Sequence, residues 1–160
     1  MRLLLDTHAM YWYSASDPQL GLNAQTLIQD ATNEVLISPA SYWETAIKIS
    51  IGKWILHRPY EEFIDACLNT YGFRVLTIEP KHPAKVATMP FLPGHKDPFD
   101  RLLVAQALVE SIPIVSNDTA LDAYGVNRLW QRLAMSDHNQ NDRFRKLLQH
   151  GPFSEAQVAG

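Results

Sequence analysis

The chain has 160 residues, 46% hydrophobic and 19% charged, with a formal net charge of −3. This length suits one domain with a full core, and the apolar share excludes a disordered chain. The lone cysteine, Cys67, excludes an internal disulfide framework, and no apolar run approaches the roughly 20 residues of a membrane helix.

The start, Met1-Arg2-Leu3-Leu4-Leu5-Asp6, meets an acid after three leucines, too short a run for a signal-peptide core. A soluble cytoplasmic protein with no membrane association is expected. Leu3–Leu5 reads as a first buried strand. Asp17-Pro18 places a cap before a first-turn proline and opens a helix near 18–31. Val35–Ile37 is a second strand, and Ser38-Pro39 opens a helix over 39–51 in the same way. A helix near 59–71 follows, then a strand at Phe73–Ile78 and a helix near 80–88. Asp97-Pro98-Phe99-Asp100 repeats the cap signal and starts a helix over 98–110. Ile112–Val115 is a fourth strand, 119–124 a short helix, and Val126–Leu129 a fifth strand. Short continuous apolar runs alternating with helices predict an α/β fold with a parallel sheet covered on both faces.

Character changes from about Ser136, and the expected division is a domain over 1–131 and a polar extension over 132–160. Ser136–Asp142 reads as a linker, Arg143–Gln149 as a short basic helix and 151–160 as disordered. Residues 131–160 hold four basic and three acidic residues, which leaves ten basic and fourteen acidic in the first 130. A polyanionic substrate would need a cation to bridge it to so acidic a body.

In an open parallel sheet, ligands bind beyond the carboxyl ends of the strands. Asp6 follows the first strand, and Asp118 comes three residues after the fourth. Asp97 and Asp100 open the helix before that strand, and Glu44 lies in the helix after the second. Each acid also has a bland reading. Asp6, Asp97 and Asp118 suit helix caps, and Asp100 suits a helix dipole. Glu44 is past the first turn of an apolar helix, where it either pairs with Lys48 at i+4 or faces a cation. If the acids converge, their repulsion calls for protonation or a bound ion. Oxygen donors without cysteine or paired histidines favour Mg²⁺ or Mn²⁺ over zinc, and the matching chemistry is phosphodiester hydrolysis.

At these residues the sequence resembles a PIN-domain ribonuclease, the toxin subunit of VapBC-type toxin–antitoxin systems. The resemblance rests on Leu3-Leu4-Leu5-Asp6-Thr7-His8-Ala9, on Ser38–Lys48 with Gly52-Lys53, on His95–Ala107 with its Asp-Pro-Phe-Asp core, and on Ile114-Val115-Ser116-Asn117-Asp118. These pieces occur in family order over roughly residues 1–130. The resemblance implies a three-layer α/β/α fold around a five-stranded parallel sheet and a Mg²⁺- or Mn²⁺-dependent endoribonuclease. Asp6, Glu44, Asp100 and Asp118 fall on the family's acidic quartet, with Asp97 an accessory acid that binds metal or only caps its helix. Thr7, Ser116 and Asn117 fall beside the site, as partners of the acids or of substrate. RNA as substrate, a small cognate antitoxin and a homodimer are also implied. About thirty residues continue past the point where such toxins commonly end.

Lys48, Lys53, Lys96 and Arg101 are candidates to steer RNA phosphates, against ordinary roles in salt bridges or solvated surface. His8 and His95 read as proton shuttles or as structural histidines. Met10-Tyr11-Trp12-Tyr13 reads as core, with a groove for an antitoxin helix as the sharper idea. Two other functional classes compete. One is a phosphotransfer domain of the receiver or haloacid-dehalogenase phosphatase type. His8 stands where that phosphatase needs a second aspartate, and Glu79-Pro80 follows the third strand where a receiver needs its acceptor. The other is a non-catalytic metal- or protein-binding module, which metal titration without RNA cleavage would reveal.

Overall fold

The structure, a computed structural model, describes residues 1–130. The expected linker, basic helix and tail of the 132–160 extension lie outside the described residues.

Five short strands form one parallel sheet: β1 (Arg2–Leu5), β2 (Glu34–Ile37), β3 (Arg74–Val75), β4 (Ile114–Val115) and β5 (Arg128–Leu129). Their order across the sheet is β3-β2-β1-β4-β5. Leu4 stands opposite both Leu36 of β2 and Ile114 of β4, which places β1 at the centre. Side chains alternate across the two faces, as a pleated strand requires. Leu3, Leu5, Val35, Ile37 and Val115 enter one core, while Leu4, Leu36 and Ile114 enter the other. The run Leu3-Leu4-Leu5 is therefore apolar throughout because each face has its own helices. Fully burying one such leucine contributes about 1.5–3 kcal/mol.

The first core is closed by α1 (Thr7–Ala15), α2 (Leu22–Gln29) and α4 (Tyr60–Asp65), which runs on into a π turn over Ala66–Thr70. The second is closed by α5 (Lys81–Thr88) and α6 (Pro98–Glu110), with a 3₁₀ turn over Thr119–Tyr124. Helix α3 (Pro39–Ser50) packs against both α1 and α6. Cys67 is buried in the first core, where burial pushes its thiol up to about 12. Within the described residues, no helix is long and apolar enough to cross a membrane.

The expected α/β/α layers and five parallel strands are present, with changes in detail. Helix α1 was foreshadowed only by Asp6 as a cap. Its buried Thr7, Ala9, Met10 and Trp12, with half-buried Tyr11 and Tyr13, leave no polar face for periodicity to reveal. The single helix expected over 18–31 is broken at Gly21, whose φ of 74° is left-handed, into a 3₁₀ turn and α2. The strand expected over 73–78 shrinks to the edge pair Arg74–Val75, flanked by buried Phe73 and Leu76. Helix α3, apolar in sequence, turns a largely polar face inward. Its buried face is Ala40, Ser41, Glu44 and Thr45, while Trp43 is 67% exposed.

Candidate active site

The strand order changes direction at β1. The chain steps outward through β2 to β3, then returns to the far side of β1 for β4 and β5. A crevice opens beyond the carboxyl ends of β1 and β4 at such a reversal. Asp6 leaves β1 there, and Ser116-Asn117-Asp118 leaves β4. The N-terminus of α6 and the middle of α3 complete a cleft of about 420 Å³, lined by Asp6, His8, Glu44, Lys48, Asp97, Asp100, Asn117, Asp118 and Thr119. A larger open cleft of about 730 Å³ lies where β2 and β3 begin. Its carboxylates are Asp30 and Glu34. Glu34 is paired with Arg2 and Arg74, and Asp30 is held by the Thr32 amide and hydroxyl, so that cleft gathers no cluster of carboxylates.

Cap and cleft roles coincide in three of the acids. Asp6 caps α1, its Oδ1 accepting from the Ala9 amide at 2.6 Å. Asp97 caps α6 by accepting from the amides of Phe99 and Asp100 at 2.8 and 3.2 Å. Asp118 Oδ1 accepts from the Ala120 amide at 2.9 Å. One carboxylate oxygen serves each cap, and the same side chain lines the cleft. These helix N-termini favour negative charge at their caps.

Glu44 combines both of its expected readings. It is 5% exposed, lies 2.6 Å from Lys48 Nζ through Oε1 and lines the cleft. Thr7 Oγ1 donates to Glu44 Oε2 and lies 3.1 Å from Ser41 Oγ. Lys48 is also held over the Trp54 ring, 4.3 Å from its centroid.

The remaining expected residues separate. Ser116 is buried, accepts from the Asp118 amide at 3.0 Å and hydrogen-bonds Asp6. Thr7 and Ser116 thus hold carboxylates in place. Asn117 is exposed on the cleft wall, within reach of a ligand. Arg101 departs from its expected role at substrate phosphates. It is 5% exposed, and its guanidinium donates to the carbonyls of Pro90, Val86 and Met89 and to Tyr124 Oη. At the fourth position of α6 the side chain turns into the protein and ties down the loop before the helix. Lys53 and Lys96 are exposed outside the cleft lining.

Two residues outside the expected acidic set complete the surroundings. His8 packs its ring against Trp12 and Trp54, with centroids 5.2 and 5.1 Å away. Burial lowers its pKa, and repulsion from Lys48 adds to the shift. His95 is buried beside Asp100 and Asp118, with Nδ1 2.9 Å from Tyr124 Oη. Its place two residues before Asp97 was the available sequence signal. Tyr124 carried none. The aromatic run splits, with Met10 and Trp12 in the core and Tyr11 stacked on Trp54 at 4.2 Å.

Crowding of charge has a direct consequence. Burial, then repulsion from Asp97, Glu44, Asp6 and Asp118, pushes the Asp100 carboxyl up to about 7. Burial raises Asp6 to about 6, against the lowering effect of hydrogen bonds from Ser116 and Ala9. Five carboxylates face one lysine across this cleft. A divalent cation relieves that imbalance, and oxygen donors of this kind suit a hard ion. Among the described residues, Glu44 is the one cleft acid paired with a lysine; of the other four, Asp97 is exposed and spends one oxygen on two amides, so Asp6, Asp100 and Asp118 are the first candidates to hold the ion.

A five-stranded parallel sheet with carboxylates gathered at its reversal point defines the class of α/β protein to which this chain conforms. The sequence model of the PIN domain matches residues 3–127, and the chain belongs to the PIN domain family. It is 28% identical over 123 residues to Ribonuclease VapC22 of Mycobacterium tuberculosis (strain ATCC 25618 / H37Rv), spanning 76% of this chain and 91% of that one. Two solved structures share the fold. VapBC2 from Rickettsia felis, bound to a DNA fragment from the promoter, aligns with a TM-score of 0.59 at 14% identity over 82% of this chain and 100% of that one. VapBC-1 from nontypeable Haemophilus influenzae aligns with a TM-score of 0.54 at 19% identity, over 82% and 97%.

Proposed function

We propose that this protein is a divalent-metal-dependent endoribonuclease that hydrolyses RNA phosphodiester bonds as the toxin of a toxin–antitoxin pair. The observation that carries the reading is the convergence of Asp6, Glu44, Asp97, Asp100 and Asp118, from four segments of chain, in one cleft at the sheet's reversal point. The relative named as a ribonuclease supports the same activity.

Asp6, Asp100 and Asp118 would hold Mg²⁺ or Mn²⁺, with Glu44 and Asp97 beside them. When bound, such an ion activates water for in-line attack at phosphorus and stabilises charge on the phosphoryl oxygens. The chain's own groups do the positioning. Ser116 and the Ala9 amide fix the Asp6 carboxylate. Thr7 and Lys48 fix Glu44 between them. Lys48 Nζ also places positive charge on the cleft wall, where a phosphate of the RNA would pass. Asn117 offers an exposed amide to the sugar–phosphate chain, a contact that positions RNA without reading its sequence.

The antitoxin and a second copy of the chain are the proposed protein partners. Two structural relatives are VapBC assemblies by name. Large apolar side chains on and after α3 stand in solvent: Trp43, Ile51 and Ile55 are each exposed. Side chains of this kind would mark a protein contact where they join into one patch.

The test is RNA cleavage by purified protein with Mn²⁺, with Mg²⁺ and with chelator. Cleavage should stop in chelator and fall by orders of magnitude in Asp6→Asn, Glu44→Gln and Asp100→Asn, each still folded by circular dichroism. Undiminished cleavage in chelator would remove the metal mechanism. Unchanged cleavage in all three variants would remove the cleft as its site.

A further inference from the structure

We infer that His95 is a ligand of the divalent ion, donating Nε2 alongside the oxygens of Asp100 and Asp118. The inference rests on the metal-dependent reading above and adds a nitrogen to a site otherwise made of oxygens.

His95 is 8% exposed, and its Nε2 has no hydrogen-bond partner among the described residues. That atom faces the acids, 3.5 Å from Asp100 Oδ2 and 3.6 Å from Asp118 Oδ2. Both distances are too long for a charge-assisted hydrogen bond, which draws the atoms to about 2.7–2.9 Å. They suit donors sharing an ion, since ligands about 2.1–2.3 Å from one centre stand roughly 3–4.5 Å apart. One donor atom from each of His95, Asp100 and Asp118 lies within 4.8 Å of the others.

The other side of the ring is held as a metal-binding histidine requires. A ligating imidazole donates its second N–H to an oxygen, which fixes ring and tautomer. His95 Nδ1 lies 2.9 Å from Tyr124 Oη, and that oxygen accepts from Arg101 at 3.4 Å. With Nδ1–H donating to Tyr124, the Nε2 lone pair points at the carboxylates. Backbone geometry sets the approach. Gly94 has φ of 80°, and the His95 amide turns back to Leu92 O at 3.2 Å. The buried Arg101 thereby acquires a function at a distance, as a positioning residue for Tyr124 and through it for His95.

Chemistry then sets an order of metals. Mg²⁺ prefers oxygen and water, whereas imidazole suits later divalent ions better. The site should favour Mn²⁺ over Mg²⁺, and loss of His95 should weaken Mn²⁺ more than Mg²⁺.

The experiment is pulsed electron paramagnetic resonance of Mn²⁺ bound to the untagged full chain, with parallel metal titrations. Wild type should show ¹⁴N modulation on Mn²⁺. His95→Gln should abolish it and weaken Mn²⁺ binding about tenfold or more, on the scale of losses at metal-site partners. His8→Gln, on the same cleft, should retain it, as should Tyr124→Phe with weaker binding. Labelling wild type with ¹⁵N-histidine should convert the signal, which tests nitrogen ligation even if the variant fails to fold. Bound Mn²⁺ without nitrogen modulation, or modulation lost in His8→Gln and kept in His95→Gln, overturns the role of His95 and leaves the nuclease reading standing. Absence of any Mn²⁺ binding, with cleavage indifferent to chelator, overturns the nuclease reading itself.

Discussion

Replacing Asp6 by asparagine should stabilise the metal-depleted protein while destroying its activity. The Asp6 carboxyl titrates at about 6 in the folded chain against an ordinary 3.8, chiefly because it is buried. Between those values the folded protein keeps a proton that the unfolded chain has released. Stability therefore falls as pH rises through this window, and the contribution present below pH 3.8 is gone above about 6. The gap is worth about 3 kcal/mol at pH 8, of which roughly half is already lost at pH 5. Asparagine reproduces the protonated side chain at every pH. Its carbonyl still accepts from the Ala9 amide and caps α1, and its amide donates to Ser116 in place of the bond that the acid accepts. In chelator, urea unfolding should find Asp6→Asn more stable than wild type by up to about 3 kcal/mol at pH 8, with a smaller margin at pH 5. Saturating Mn²⁺ should reverse the order, since about a thousandfold excess over Kd adds roughly 4.1 kcal/mol to the form that binds it. An Asp6→Asn protein less stable than wild type in chelator at pH 8, or a margin unchanged between pH 5 and 8, would refute the reasoning.

Arg101→Met should cost about 3 kcal/mol of stability, because Pro90, Val86 and Met89 lose a shared donor to their carbonyls. Its RNA affinity should keep the wild-type salt dependence; a slope of log K against log salt shallower by about 0.7 would make Arg101 a phosphate contact after all. Lys48→Met leaves the buried Glu44 with Thr7 alone and should cost about 1–3 kcal/mol by denaturant titration. Adding Glu44→Gln should recover most of that loss, and no recovery would mean that the two side chains are not coupled.

What could be read from residues alone follows from which physical signals are local. The strands Leu3–Leu5 and Val35–Ile37 announce themselves because both faces of the sheet are covered, which produces unbroken apolar runs. The starts of α3 and α6 are legible because Ser38-Pro39 and Asp97-Pro98 carry their own caps and a proline suited to the first turn. Helix α1 is obscured because a helix buried on most sides has no periodic polar face. The environment of Arg101 is hidden for a different reason. Its acceptors are backbone carbonyls of residues 86–90, and no side-chain pattern records where carbonyls will point. His95 is an intermediate case. Its closeness to Asp97 is visible in the chain, but Tyr124 and Asp118 reach it only through the fold.

The expectation that a helix cap and a site acid are rival explanations fails for a structural reason. A carboxylate has two oxygens, and a cap uses one of them. Asp118 shows the division directly, with Oδ1 on the Ala120 amide and Oδ2 turned toward His95. Helices that start at the carboxyl ends of parallel strands bring their caps to a common edge, so the capping requirement itself gathers acids there. The scaffold needs only a hydrogen-bond acceptor at each cap, and asparagine supplies that. The proposed reaction would need the charge on the second oxygen, and asparagine removes it. Aspartate-to-asparagine changes at positions 6, 97 and 118 should therefore separate folding from activity more cleanly than alanine changes. Alanine at the same positions removes cap and charge together, at roughly 1 kcal/mol for each lost cap.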